Sequence, residues 1–478
     1  MVRSGERIHV IGVAGSGAAG VALLCARAGA IVDGCDADGP SPYTPPLDGA
    51  GVRVITGHHA DHLDGIDRVA ISPAIRAVPD HVELAAALER GLPVVPWQAL
   101  LGELMAAERH LGLAVAGTHG KSTTTALLGH LLIGAGLDPT VEVGAVIADW
   151  GGASVRPGDG APFVVEADEF GDNFLHYRPA AAILTNLEMD HPDYFADRAA
   201  VLDSFERFVR GMAPDERVGG RVVLAAAGDP GLDELLSRLG DWDGRVIRYG
   251  PGGEVAADGV AYGAEGTAFS LSGHRFAMRL AGAHNVLNAT AALTLAGMVG
   301  AAPEALTASL ATFRGAGRRM ELIADTAGVI VYDDYGHHPT EVRAALAAAR
   351  QLVGGRRLWA VFEPHMYSRT ALLLDEFATS FAEADEVAVA DIFASRDTPE
   401  AMRAVSAEVL ADAIERAGGA PAIATGDVET TTRYVAEHLR AGDAVLVLGA
   451  GRSYRIARGL RDALEAGVLD ERRGMDPS

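Results

Sequence analysis

The sequence predicts an α/β protein built on parallel sheets and divided into three blocks. Three observations carry this expectation. A strand, a glycine-rich turn and a helix open the chain between Arg7 and Ala28, and the same order recurs from Leu111 to Ala135. After Phe313, short apolar runs alternate with helical segments. Strands separated by helices are joined by crossovers, which pairs them parallel.

In the first block Arg7 to Val13 reads as a strand, Ala18 to Ala28 as a helix and Ala30 to Cys35 as a second strand. The turn between strand and helix contains Gly15-Ser16-Gly17-Ala18-Ala19-Gly20, and Asp36 stands at the second strand's end, where dinucleotide folds place a ribose-binding carboxylate. Nucleotide binding and mere close packing of a tight turn both fit the glycines; the strand, helix and acid together favour the nucleotide. In the second block Leu111 to Ala116 is an apolar strand. It runs into Gly117-Thr118-His119-Gly120-Lys121-Ser122-Thr123, followed by a helix from Ser122 to Ala135. The stretch Arg245 to Leu280, with turns at Pro251-Gly-Gly and Leu271-Ser-Gly, reads as inserted antiparallel strands. In the third block Gly328 to Tyr332, Leu358 to Phe362, Glu386 to Ala390 and Ala444 to Leu448 are strands, with Thr340 to Leu352 a helix. Only the tail after about Asp470 looks frayed. The expected domains are a Rossmann-like one at 1–108, a phosphate-loop ATPase-like one at 109–317 with the inserted strands, and a second Rossmann-like one at 318–478.

Composition narrows the function. The 478 residues carry a net charge of −24 with 49% apolar residues, which disfavours nucleic acid and anionic membranes, since phosphate backbones reward clustered positive charge. No apolar run is long enough to span a bilayer, and no signal segment precedes the first strand. Two cysteines, Cys25 and Cys35, cannot build a disulfide framework, and no Cys/His spacing resembles a zinc site. The expectation is a cytoplasmic protein acting on small molecules, without membrane insertion, as monomer or homodimer.

Lys121 is the single lysine among forty basic residues, and it lies in the one segment that reads as a phosphate loop. Glycines let backbone N–H groups curl around phosphate oxygens, the helix N-terminus adds a favourable dipole, and a compact ammonium reaches terminal phosphates as a guanidinium cannot. The loop is short, since Val115 stands where the first glycine of the longer form would fall. Ser122 is placed to hold magnesium. Phe163-Val-Val-Glu166-Ala-Asp168-Glu169 and Ala181-Ala-Ile-Leu-Thr185-Asn186-Leu-Glu-Met-Asp190-His191 are further strands ending in oxygen and imidazole donors. Asp333-Asp334-Tyr335-Gly336-His337-His338-Pro339-Thr340 and Glu363-Pro-His365-Met366-Tyr-Ser-Arg369-Thr end strands in the third block. Their histidines can handle protons near neutral pH, and Arg369 can clamp a carboxylate or phosphate.

These motifs occur in the order Gly-x-Gly-x-x-Gly, Gly-Thr-His-Gly-Lys-Ser-Thr, Glu-Ala-Asp-Glu, Thr-Asn-x-Glu-x-Asp-His, His284-Asn285-Val-Leu-Asn288, Arg318-Arg319 and Asp-Asp-Tyr-Gly-His-His-Pro-Thr-Glu. In that order they resemble the Mur ligases of peptidoglycan synthesis over nearly the whole chain, most of all the alanine-adding branch. The resemblance implies ATP-dependent joining of L-alanine to the carboxylate of UDP-N-acetylmuramate through an acyl phosphate. It places the UDP diphosphate on Gly15, Ser16, Gly17 and Gly20 with Asp36 near the nucleoside. ATP falls on Gly117, Thr118, His119, Gly120, Lys121, Ser122 and Thr123, with Asn285 and Asn288 facing adenine and Arg319 approaching the nucleotide. Magnesium falls among Ser122, Glu166 and His191, and the amino acid on Tyr335, His337 and Arg369. Lys121, His337 and Arg369 would be the catalytic groups.

Two departures bear on specificity. Met366 stands where the alanine-adding branch usually has arginine, and Phe170-Gly171-Asp172 follows Glu169 where Ser-Asp is commoner. The rival readings are a ligase that attaches a recycled L-Ala-γ-D-Glu-diaminopimelate tripeptide to the same sugar, an NAD(P)-dependent oxidoreductase resting on the first block alone, and a non-catalytic nucleotide-binding module.

Overall fold

The computed structural model describes residues 1–41, 43–76 and 78–467; the tail after Asp470 lies outside them. The chain forms two compact units. The first comprises Met1–Glu188, Arg198–Ala257 and Asn288–Phe313; the second comprises Met189–Asp197, Asp258–Leu287 and the chain from Arg314 onward.

The first unit holds two sheets. The smaller has five parallel strands in the order Arg53–Thr56, Ile31–Asp36, Arg7–Ile11, Arg68–Ile71, Val94–Pro96. Its glycine-rich turn leads into the helix Ser16–Arg27. Two of that turn's glycines serve packing: a Cβ at Gly17 would collide with the Trp97 ring, and one at Gly20 with Val155. Gly20 thereby seats the helix on the strand Ala153–Arg156, where Ser154 Oγ also donates to the Ser16 carbonyl at 3.1 Å.

The larger sheet has seven strands in the order Arg245–Tyr249, Val222–Ala226, Ala181–Leu184, Leu111–Ala116, Pro162–Ala167, Thr140–Ile147, Ala153–Arg156, and only the last pair is antiparallel. Leu111–Ala116 is central and buried throughout, as an apolar run covered on both faces requires. Arg245–Tyr249, expected among the antiparallel strands, instead pairs parallel with Val222–Ala226 and extends this sheet at its edge.

In the second unit Asp258–Gly263, Gly266–Leu271 and His274–Met278 form a separate antiparallel sheet. The turn at Ser272 and Gly273 has both residues at positive φ, 51° and 82°, the backbone that lets a two-residue hairpin follow strand twist. The main sheet has six strands in the order Glu321–Thr326, Val329–Asp334, Ala444–Leu448, Leu358–Phe362, Glu386–Ala390, Ala422–Gly426, with only the first pair antiparallel. Among the described residues no helix is long and apolar enough to cross a membrane.

Candidate active site

In the first unit the strand Leu111–Ala116 delivers the chain to Gly117, whose φ of 134° and lack of a Cβ let Thr185 Oγ1 approach closely. Gly120, at φ 81°, turns the backbone into the helix Lys121–Gly134. Asn288 lies against that corner: a Cβ at Gly120 would come within 3.0 Å of its Oδ1.

The neighbouring strand end braces the loop. Thr185 Oγ1 donates to the His119 carbonyl at 2.6 Å, while Asn186 accepts from the His119 N–H at 2.8 Å and donates back to its carbonyl at 3.0 Å. The Thr118 N–H donates to the Asn186 carbonyl, and Thr118 Oγ1 accepts from the Glu188 N–H at 2.9 Å. Thr185 and Asn186 open the Thr-Asn-x-Glu-x-Asp-His motif, and the parallel register of Ala181–Leu184 with Leu113–Ala116 makes them supports of the loop.

Lys121 extends over its own loop. Its ammonium donates to the Gly117 and Thr118 carbonyls at 2.7 and 3.1 Å and to Glu169 at 2.8 Å, with Asp168 at 3.9 Å. Burial works against the charge, but Glu169 and Asp168 outweigh it and raise the pKa above that of a free lysine. Burial pushes Glu169 up, and Lys121 only partly offsets this because Asp168 repels the same carboxylate. Ser122 Oγ donates to Glu166 at 2.9 Å, and the other Glu166 oxygen accepts from the Gly144 N–H at 2.6 Å. Glu142 is buried beside them, with its Oε2 lacking a hydrogen-bond partner among the described residues; burial and the Glu166 charge hold its pKa well above the carboxylate range. The Ser122 hydroxyl and the backbone-anchored Glu166 carboxylate are oxygen donors of the kind magnesium takes. His191 belongs to the second unit, at φ 53°.

At the glycine-rich turn, the Gly12 and Val13 N–H groups donate to the Cys35 carbonyl at 2.8 and 3.1 Å, and Asp36 accepts from the Ala14 N–H at 3.2 Å. Asp36 therefore holds the turn itself. A Cβ at Gly15 would meet only the Gly12 carbonyl at 3.6 Å, leaving the helix start open above it.

In the second unit Tyr335, His337 and Arg369 come together. The rings of Tyr335 and His337 are 5.4 Å apart, and those of His337 and His365 5.8 Å apart. Arg318 and Arg319 each lie 5.1 Å from the Tyr335 ring centre. Burial depresses His337 to about 4, with Glu341 opposing the shift. Burial, reinforced by His337 and Arg369, depresses His365 to about 3. Burial therefore favours the neutral form of both imidazoles and leaves them weak bases. Arg369 is almost wholly buried. Its Nε and Nη2 both donate to Asp190 Oδ1, at 3.0 and 2.7 Å, leaving Nη1 beside His365 at 3.2 Å. Asp190, to which the sequence reading gave no role, is thus the counter-ion of the expected carboxylate clamp. Met366 is buried at φ 73°, a conformation L side chains rarely adopt. Asn285 Nδ2 donates to the Ala281 carbonyl at 2.8 Å, and Arg319 reaches Glu341 at 3.4 Å.

A phosphate loop at the carboxyl end of a central parallel strand, flanked by acids on the adjoining strand and attached to a glycine-turn domain, defines an α/β nucleotide-dependent enzyme. Family comparisons agree and go further. Residues 7–109 match the Mur ligase catalytic-domain model, 115–296 the Mur ligase middle domain and 318–451 the glutamate ligase domain of Mur ligases. The chain is 39% identical over 460 residues to UDP-N-acetylmuramate–L-alanine ligase of Acidothermus cellulolyticus, covering 93% of this chain and 92% of that one. It is 41% identical over 441 residues to the enzyme of the same name from an Arthrobacter species, with 91% and 90% covered. Among solved structures, UDP-N-acetylmuramate–alanine ligase from Thermotoga maritima superposes with a TM-score of 0.77 at 24% identity, covering 96% of this chain and 99% of that one. A murein peptide ligase from Psychrobacter arcticus gives 0.66 at 28% identity with the same coverage. The chain belongs to the Mur ligase family.

Proposed function

We propose that this chain joins L-alanine to the lactyl carboxylate of UDP-N-acetylmuramate at the expense of ATP, in the synthesis of peptidoglycan precursors. The observation that carries the reaction type is the phosphate loop with its lone lysine beside Ser122, Glu166 and Glu169. The relatives of 39 to 41% identity, all named for L-alanine addition, support the amino acid. The working domains are 1–108 for the UDP-sugar, 109–317 for ATP and 318–478 for the amino acid.

A carboxylate is a poor electrophile. Transfer of the γ-phosphoryl group to its oxygen creates an acyl phosphate, whose phosphate leaves when the amine attacks the carbonyl carbon. The loop N–H groups and Lys121 balance the charge that builds on the transferred group. Ser122 and Glu166, with His191, are the proposed magnesium ligands; the ion would neutralise phosphate charge. Gly15, Ser16, Gly17 and Gly20 are assigned to the UDP diphosphate, and Asn285, Asn288 and Arg319 to the nucleotide of ATP. Tyr335, His337 and Arg369 are assigned to the amino acid, whose ammonium must lose a proton before the free amine can attack.

Met366, in place of the arginine usual in the alanine-adding branch, supports a second reading, ligation of a recycled tripeptide to the same sugar. The test is ADP formation with UDP-N-acetylmuramate and each amino acid in turn, beside the tripeptide L-Ala-γ-D-Glu-diaminopimelate. L-alanine is expected to give the highest kcat/KM; a faster rate with the tripeptide overturns the first reading in favour of the second.

A further inference from the structure

The first unit holds a second cluster of chemically able side chains that the ligase reading leaves unused. No Cys/His spacing along the chain resembles a metal site, yet the five-stranded sheet brings together His9 from Arg7–Ile11, Cys35 from Ile31–Asp36, His62 from the turn Ala60–Leu63 and Glu83 from the helix Val82–Glu89. One donor atom from each lies within 4.8 Å of all the others. His9 Nε2 is 3.4 Å from Cys35 Sγ and 3.4 Å from Glu83 Oε1; Cys35 Sγ is 2.8 Å from Glu83 Oε2; His62 Nδ1 is 2.6 Å from Glu83 Oε1. Tetrahedral zinc with nitrogen, oxygen and sulfur ligands places neighbouring donors about 3.3–3.6 Å apart, so the His9 contacts already have that spacing and the Glu83 contacts need to open by less than about 1 Å.

Two further features separate this cluster from an ordinary polar core. The other ring nitrogen of His9 is held by Asp33 Oδ1 at 2.7 Å, the carboxylate–histidine arrangement that fixes a metal-binding imidazole with its free nitrogen aimed at the ion. The cluster is also oversupplied with donors. His58 Nδ1 adds a fourth group on Glu83, at 3.0 Å, and His81, packed on His58, is buried with its Nε2 lacking a hydrogen-bond partner among the described residues. A thiol and three imidazoles converging on one buried carboxylate need either several shared protons or one cation.

We propose that His9, Cys35, His62 and Glu83 form a structural site for a divalent transition metal of the zinc class. Thiolate and imidazole ligands with one carboxylate favour zinc over magnesium or calcium. On binding, the Cys35 thiol proton leaves to solvent and the sulfur becomes a thiolate ligand. The site would tie four elements together directly beneath the glycine-rich turn, because the Cys35 carbonyl is the group that accepts the Gly12 and Val13 N–H bonds. Metal loading is then expected to raise the thermal midpoint and, on the ligase reading, to tighten UDP-sugar binding.

The test uses untagged full-length protein, stripped with a chelator and reloaded with zinc or cobalt. After gel filtration, mass spectrometry should find one equivalent of zinc per chain. The cobalt form should show a thiolate-to-cobalt charge-transfer band with tetrahedral visible bands. Cys35→Ser should lose that band, and Cys35→Ser and His62→Gln should each bind zinc at least about tenfold more weakly; His59→Gln, on an exposed neighbour, should bind as the parent does. Substoichiometric zinc and an octahedral cobalt spectrum in the parent protein overturn the site, and that result stands even if the variants fail to fold. Unchanged zinc affinity in Cys35→Ser overturns it as well. Since metal content is read without substrate, failure of this site leaves the ligase assays untouched, and the reverse holds.

Discussion

The phosphate loop of the first unit and the Tyr335–Arg369 cluster of the second are both built at the carboxyl ends of parallel strands, yet they are held by opposite means. The loop is local: seven consecutive residues supply its glycine corners, its lysine and its helix start, and two residues just past the neighbouring strand Ala181–Leu184 brace it. The cluster is assembled from afar. Arg369 finds its counter-ion 179 positions away at Asp190, while Glu341 accepts the N–H groups of His337 and His338 to cap the helix Pro339–Val353. A local site tolerates loss of one group with its fold intact; a long-range buried ion pair makes site and fold stand or fall together.

The largest expected effect tests the local side. Lys121→Arg keeps the charge but cannot place a compact ammonium over the loop, and turnover should fall by about 1,000-fold, roughly 4 kcal/mol of barrier. The thermal midpoint should change little. ADP release beside a melting curve checks both, and near-normal turnover removes Lys121 from phosphate contact.

Next in size comes the long-range pair. Asp190→Ala leaves a buried guanidinium with only Nη1 near a partner, His365, and should lower stability by about 3 kcal/mol, the low end for a broken buried ion pair. Chemical denaturation measures it. If stability holds while the KM for the amino acid alone changes, Asp190 serves as a switchable counter-ion for the clamp and its part in the fold is small.

These two residues also mark how far the sequence could be read. Gly117 to Thr123 lies within one strand–turn–helix, where sequence neighbours are spatial neighbours, so the loop and its lysine were legible. So were the strands Leu358–Phe362, Glu386–Ala390 and Ala444–Leu448, whose apolar runs are bounded by turns. The strand Glu321–Thr326 was not: it is an antiparallel edge strand with mostly exposed or half-buried residues and little apolar signal. Arg245–Tyr249 was seen as a strand, but its partner depends on which edge of the seven-stranded sheet is vacant, and that is not written in the segment. Asp190 opposite Arg369, Asn186 under His119 and the His9, Cys35, His62, Glu83 cluster depend on strand order, which no spacing records.

A smaller effect sharpens the local side. Asn186→Ala removes both side-chain bonds to His119 and should loosen the loop by about 1–2 kcal/mol. Because the loop is expected to bind ATP, the loss should appear as roughly tenfold in kcat/KM for ATP, with kcat/KM for the amino acid unchanged. Equal losses for both substrates would mean that the brace supports more than the loop.

The smallest effect concerns protons in the long-range cluster. His337 is neutral in the folded chain, with a pKa of about 4, while an unfolded histidine titrates near 6.5. The folded pKa is the lower of the two, so the unfolded chain takes up the proton first as the pH falls. The stability that His337 leaves undisturbed above about pH 6.5 is therefore eroded between 6.5 and 4. At about pH 5.5 the erosion amounts to roughly 1 kcal/mol. His337→Gln should remove that part of the acid sensitivity, narrowing the difference in unfolding free energy between pH 7.5 and 5.5 by this amount, as read from chemical denaturation, while His365, depressed by the same burial, retains its own share. Parallel acid sensitivity in parent and variant would mean that His337 gains its proton in the folded chain as easily as in water. The imidazole would then be open to solvent and a stronger base than its burial implies.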